Sequence, residues 1–252
     1  TRLEKYASHV VRYAYGEESL AVAAMLEENR SVAGEEIRAA ADALGAAQNL
    51  VIFYGSEGLG LTGSKGLAQA LAGLLERGGY AGRANSGLVG VWHAPNLQAG
   101  FELGLQPVEG LDNLPGGVLY LAAADPAGDD PRQARLLAGR DLVIVQDLFL
   151  TETAKLADVV LPVLTYTERE GTFVSGERRL QRYYPAVPAR PGLKADFALT
   201  AAVAKTLGYE LEGRAAGLVL ERLAQSEPAF AGMSYLGLAE VHEQWPVVGG
   251  SD

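Results

Sequence analysis

DLVIVQDLFLTETAKLADVVLPVLTYTEREGTFVSGERRLQ, residues 141–181, is the stretch whose reading decides the fold. Residues 142–145 are apolar and β-branched, short enough for a buried parallel strand. A Thr-Glu-Thr segment leads into one amphipathic turn of helix at 152–156, and a second buried strand follows at 159–161. Pro162 stops that strand, because proline cannot extend a central ladder. Residues 165–181 then read as a polar loop through Glu168, Arg169, Glu170, Gly171 and Thr172, closed by ERRLQ at 177–181. Open α/β sheets place their ligands in loops of this kind, outside the carboxyl ends of parallel strands.

The alternation extends upstream. Residues 116–124 (GGVLYLAAA) predict a strand ending at Asp125-Pro126, and Asp130-Pro131 carries the cap and first-turn chemistry of a helix running to 138. Residues 49–54 (NLVIFY) predict another buried strand, followed by a glycine-rich turn and a helix over 67–77. Leu67, Leu71, Leu74 and Leu75 line one face of that helix, and Gly78-Gly79 ends it. Strand, helix, strand, helix with short turns implies a doubly wound, mainly parallel sheet with right-handed crossovers.

Gly58, Gly60 and Gly63 match G-x-G-x-x-G between that first strand and its helix, where a dinucleotide fingerprint sits. The acidic residue that would hold a ribose is missing from residues 81–87 (AGRANSG), so the plainer reading is a glycine-permissive strand-to-helix turn. Lys65 precedes Gly66, not Ser or Thr, which excludes a P-loop. Residues 85–107 have no sustained period and predict a long ordered loop, a kind more often functional than not. His93 in that loop and His9 near the start read as packing or surface residues.

Residues 2–46 read as helical, with a restart at 31–35. Residues 183–193 are proline-rich and irregular, Asp196 caps a helix over 197–207, and another helix spans 214–225. A loosely structured tail occupies 227–252. The expected organisation is a helical lead-in (1–46), an α/β domain (47–210) and a helical and irregular tail (211–252).

The 252 residues, 48% hydrophobic and 21% charged, describe a globular chain with a core. A net charge of −10 argues against a nucleic-acid-binding surface. With no cysteine, the stretch supplies no disulfide, thiol nucleophile, thiolate zinc or iron–sulfur ligation. Three histidines without paired spacing make a protein-ligated metal site unexpected. No apolar run is long enough to cross a bilayer, so no direct membrane insertion is expected. The chain begins at Thr1, as a piece of a longer polypeptide would. Within the acidic chain, Arg178, Arg179, Arg182 and Arg190 form a basic cluster. It could hold phosphates or another subunit's carboxylates in bidentate fashion, or pair with the glutamates beside it.

FLTETAKLADVVLP (149–162), EGTF (170–173) and ERRLQ (177–181), with YLAAADP (120–126) and the 85–107 loop, together resemble the molybdopterin oxidoreductase superfamily. The similarity covers residues 35–207. It implies the α/β fold of the formate dehydrogenase type, here lacking a C-terminal β-barrel domain. In the molybdenum enzymes these loops hold a guanine dinucleotide form of molybdopterin, and the matching positions are Asp125, Asp147, Thr151, Thr153, Glu170, Gly171, Thr172 and Ser175. Two positions depart from the family pattern: Ala123 stands where a glycine is common, and Ser175 where an asparagine is.

The resemblance points first to a branch that keeps the fold without molybdenum: the large iron–sulfur subunit of respiratory NADH:quinone oxidoreductase, complex I. In that reading the stretch is a non-catalytic structural module with a vestigial cofactor site and no cofactor of its own. The 2Fe-2S and 4Fe-4S clusters of the parent subunit would lie outside it. Its partners would be the cluster-bearing N-terminal domain and other hydrophilic subunits, met through Arg178, Arg179, Arg182 and Arg190, on the cytoplasmic side of a bacterial inner membrane. The alternative is the dinucleotide-cofactor-binding domain of a formate-dehydrogenase-like molybdenum oxidoreductase.

Overall fold

A computed structural model describes residues 2–26, 34–55, 59–108, 110–240 and 245–246. It divides into two compact units, residues 1–94 and 95–252.

In the first unit, helices α1 (Glu18–Leu26) and α2 (Glu35–Ala46) precede strand β1 (Val51–Tyr54), helix α3 (Gly60–Arg77) and strand β2 (Gly87–Gly90). β1 and β2 run parallel, with Val51 opposite Gly87. The leucine stripe forms as expected: Leu67, Leu71 and Leu75 are buried, one turn apart. Tyr80 is buried behind α3 and donates its hydroxyl to the Leu44 and Ala47 carbonyls, which closes the C-terminal end of α2. The glycine-rich segment is more helical than expected, because α3 opens at Gly60 and takes in Gly63 and Gly66. Gly58 and the restart at 31–33 lie outside the described residues. The helix expected from residue 2 opens only at Glu18, after a short 3-10 turn (Glu4–Tyr6). Residues 7–15 are irregular and mostly exposed, since a stretch without a buried face lacks the packing that stabilises short helices.

The second unit contains helix α4 (Leu97–Glu102), strand β3 (Val118–Ala122), helices α5 (Pro126–Asp129) and α6 (Gln133–Leu137), and strand β4 (Leu142–Asp147). Helix α7 (Glu152–Lys155) and strand β5 (Val159–Pro162) complete the parallel layer, ordered β3-β4-β5. This is the expected α/β architecture with parallel strands. One face of β4 carries Val143 and Val145 into a core with Leu111, Ala127, Leu137 and Ala154. On the other face, buried Gln146 donates to Asp196 at 3.2 Å and accepts from Tyr120 at 2.5 Å. Asp158 ties the start of β5 to β4 by accepting the Val143 N–H at 2.8 Å.

Strands β6 (Gly171–Val174) and β7 (Arg179–Tyr183) follow as an antiparallel hairpin, extended by β8 (Trp245–Pro246). Helices α8 (Asp196–Thr206), α9 (Ala216–Ser226) and α10 (Tyr235–Glu240) complete the unit. Val174 and Leu180 of the hairpin pack with Ala99, Leu220, Phe230 and Met233 in a second core.

Four expectations need correction. Residues 165–181 are not a loop throughout: a 3-10 turn (Tyr166–Glu168) leads into the hairpin. Inward-facing Arg182, held by Glu170, Tyr184 and the remote Tyr235, breaks the alternation that marks a strand. Residues 85–107 contain β2 and α4, whose four and six residues are too short for a periodic signal. The Asp-Pro cap acts one motif earlier than expected. Asp125 caps α5, whereas Pro131 precedes a helix that opens only at Gln133. Asp196 likewise lies inside α8 and not before it, its carboxylate turned to Arg169 at 3.0 Å. Among the described residues, no helix is long and apolar enough to cross a membrane.

Candidate cofactor-binding loops

Two turns leave the carboxyl ends of adjacent parallel strands, one from β3 and one from β4. In the first, Ala123 adopts φ +51°, the left-handed region that glycine enters without cost, and its N–H donates to the Gln146 carbonyl at 2.9 Å. The glycine that the family pattern suggests there would relieve this conformation. Asp125 follows, and its Oδ1 accepts the Gly128 N–H at 3.2 Å, the cap expected of Asp before Pro. A Cβ at Gly128 would collide with Asp125 Oδ2, so the turn closes around a glycine.

The second turn is built by Asp147, whose Oδ1 accepts the N–H groups of Leu148 at 2.6 Å and Phe149 at 3.1 Å. It leaves Leu148, Phe149 and Leu150 exposed at the strand end. Thr151 then caps α7 by accepting the Ala154 N–H at 3.1 Å. Thr153, fully buried, joins the two turns. Its N–H and hydroxyl donate to Asp125 Oδ1 at 2.8 and 2.7 Å, while its oxygen accepts the Ala127 N–H at 3.0 Å. The Thr153 hydroxyl, then its N–H, holds the Asp125 carboxyl below its ordinary range.

The remaining sequence-derived positions gather on the hairpin. Glu170 pairs with Arg182 at 2.9 Å. The Arg182 guanidinium lies over both the Tyr184 and the Tyr235 rings, 4.4 and 4.1 Å from their centres, and its Nε makes no hydrogen bond. Burial, with Glu170 nearby, raises Tyr235 to about 12. Gly171 faces the Tyr183 ring so closely that an added Cβ would come within 2.5 Å of its hydroxyl. Thr172 pairs across the ladder with Arg182, and Ser175 closes the hairpin turn by donating its N–H to the Arg179 carbonyl at 3.0 Å.

Each arginine of the basic cluster meets a carboxylate of its own chain. Arg178 grips Glu102 in bidentate fashion at 2.6 and 2.9 Å, Arg179 meets Glu177 at 3.2 Å, and Arg190 meets buried Glu168 at 3.1 Å. Glu102 was invisible to sequence reasoning because it lies in the stretch read as loop. Asn96 was missed for the same reason: it stands before α4 in the left-handed region, and its side-chain oxygen accepts the Val174 N–H at 2.9 Å. Arg169 lay in the quoted stretch without being singled out, yet it forms an ion pair with Asp196 and donates a hydrogen bond to the Tyr183 hydroxyl. Among the described residues, no group of three or more His, Asp or Glu could hold a metal ion.

Paired turns at the ends of parallel strands, with a glycine-dependent hairpin after them, define the class. The molybdopterin oxidoreductase family matches residues 33–206, and the chain belongs to that family of oxidoreductases. The alpha subunit of a formate dehydrogenase from Methanococcus maripaludis is 35% identical over 175 residues, covering 66% of this chain and 25% of the relative. Formate dehydrogenase H of Escherichia coli is 28% identical over 269 residues, covering 90% of this chain and 38% of the relative. The chain thus spans well under half the length of these relatives.

Proposed function

We propose that this chain is the dinucleotide-cofactor-binding part of a formate-dehydrogenase-like molybdenum or tungsten oxidoreductase. The observation that carries the reading is the pair of turns at the ends of β3 and β4, in a chain whose relatives are named formate dehydrogenases. The donor set suits the purine end of a guanine dinucleotide. Asp147 spends Oδ1 on its own turn, which leaves Oδ2 to accept from the N–H-rich edge of guanine. Phe149 and Leu150, 71% and 66% exposed beside it, offer an apolar ledge for the ring. The hairpin arginines are already neutralised by carboxylates, so a diphosphate would be met by backbone N–H groups and hydroxyls. When bound, such a cofactor would supply the metal at which a two-electron oxidation occurs.

One observation favours the second reading, the structural module of the large iron–sulfur subunit of complex I. The Asp125, Thr151 and Thr153 side chains are engaged in holding their own loops, as a module that binds nothing would have them. In that reading its partners would be the cluster-bearing domain and other hydrophilic subunits at the inner face of a bacterial membrane.

Metal and pterin analysis of the full-length polypeptide, purified anaerobically, separates the two. Molybdenum or tungsten with a guanine dinucleotide pterin is the expected result. Iron without either metal or pterin would sink the proposal and leave the scaffold standing.

A further inference from the structure

Thr153 is fully buried and cannot touch a ligand. Asp125 spends one oxygen on three donors, and the other is packed against Gly128. The link between them nevertheless reaches the exposed turn. From Asp125 it passes through Thr153 and along the first turn of α7 to its cap, where the Thr151 N–H donates to the Phe149 carbonyl at 3.0 Å. Phe149 in turn donates to Asp147. On the other side, the same bridge anchors the turn that keeps Ala123 left-handed, a conformation with a cost that its surroundings must sustain.

We propose that Asp125 and Thr153 are positioning residues for the dinucleotide cofactor: they lock the β3–α5 and β4–α7 turns together and so present Asp147 and the Phe149–Leu150 ledge in one geometry. The inference rests on the cofactor-binding reading above. It reassigns two residues that sequence resemblance places among the cofactor's contacts. A contact residue and a positioning residue differ in what their loss disturbs. Removing the first leaves the loops tight and the cofactor weak, whereas removing the second loosens both loops.

The test uses the full-length protein in four variants: Thr153→Val, Thr153→Ser, Asp125→Asn and Asp147→Asn. Pterin per folded polypeptide is measured alongside amide hydrogen exchange across residues 123–129 and 147–155 of cofactor-stripped protein. Thr153→Val is expected to speed exchange in both turns by at least about tenfold, through the loss of the hydroxyl's bonds to Asp125 and Ala127, and to lower pterin content in step. Thr153→Ser restores both readings. Asp147→Asn lowers pterin while the β3–α5 turn exchanges as in the wild type. Asp125→Asn weakens the same bridge from the less buried side and stands in should Thr153→Val not fold. Loosened loops with wild-type pterin content would overturn the positioning role and leave the cofactor reading intact. Lost pterin with unchanged exchange would overturn it too, by making Thr153 act other than through the loops. A wild-type protein without pterin or metal would remove the cofactor reading itself, and this inference with it.

Discussion

The Asp125–Thr153 bridge and the β6–β7 hairpin hold loops of the same unit by opposite means. The bridge relies on one neutral hydroxyl with no exposure to solvent, accepting from Ala127 and donating to a carboxylate. The hairpin relies on ion pairs whose arginines all reach solvent: Arg178 is 45% exposed, Arg179 40% and Arg182 21%. An exposed pair contributes about 0–1 kcal/mol, since water screens it and two long side chains must be ordered. A buried donor or acceptor left without its partner costs about 1–3 kcal/mol. Burial, and not the number of charged contacts, should therefore rank the two regions.

The strongest way to break that ranking is Thr153→Val, which keeps the shape and removes the hydroxyl. We expect a loss of about 2 kcal/mol in urea unfolding, because Ala127 N–H loses its acceptor. A loss no larger than that of a surface variant would end the argument. Arg178→Ala comes next, at about 1 kcal/mol, since the bidentate grip on Glu102 is only partly shielded. Arg178 also sits at φ +62° in the hairpin turn. Arg178→Gly should therefore cost less than Arg178→Ala by roughly 1 kcal/mol, and comparing the two variants separates strain from ion pairing.

Ala123→Gly should raise stability by about 0.5 kcal/mol, relief of the left-handed conformation exceeding the extra entropy of glycine in the unfolded chain. Thermal unfolding would register this as a small upward shift, and a downward one would contradict the strain. The pair between Lys155 and Glu152, both more than half exposed, sets the floor: Lys155→Ala should change stability by less than about 0.5 kcal/mol. The faintest difference lies in acid. Arg178 holds Glu102 low, and Thr153 holds Asp125 low. A carboxyl depressed in the folded state adds stability above its unfolded value, about pH 4, that is lost as pH falls through the folded value. Denaturant midpoints followed downward from pH 6 should fall less steeply in Glu102→Gln and Asp125→Asn than in the wild type.

Strands β3, β4 and β5 and the leucine face of α3 were legible because their signals are local: short β-branched runs, a terminating proline, leucines a turn apart. The loop residues were legible only through resemblance, and that resemblance named them without their roles. Asp125 and Thr153 stand 28 positions apart, and nothing in either neighbourhood announces their bond. The hairpin was missed because Arg182, at an inward position, is stabilised by Tyr184 and Tyr235, and Tyr235 lies in a segment read as a loose tail.

The sequence by itself determined the alternation of strands and helices, the absence of thiol chemistry and the resemblance that places the chain among molybdopterin oxidoreductases. Only the tertiary structure decided which side chains are engaged in holding the loops. Periodicity and capping act over a few residues, whereas the partners of Thr153, Arg178 and Glu168 are chosen by which segments the crossovers bring within hydrogen-bonding distance.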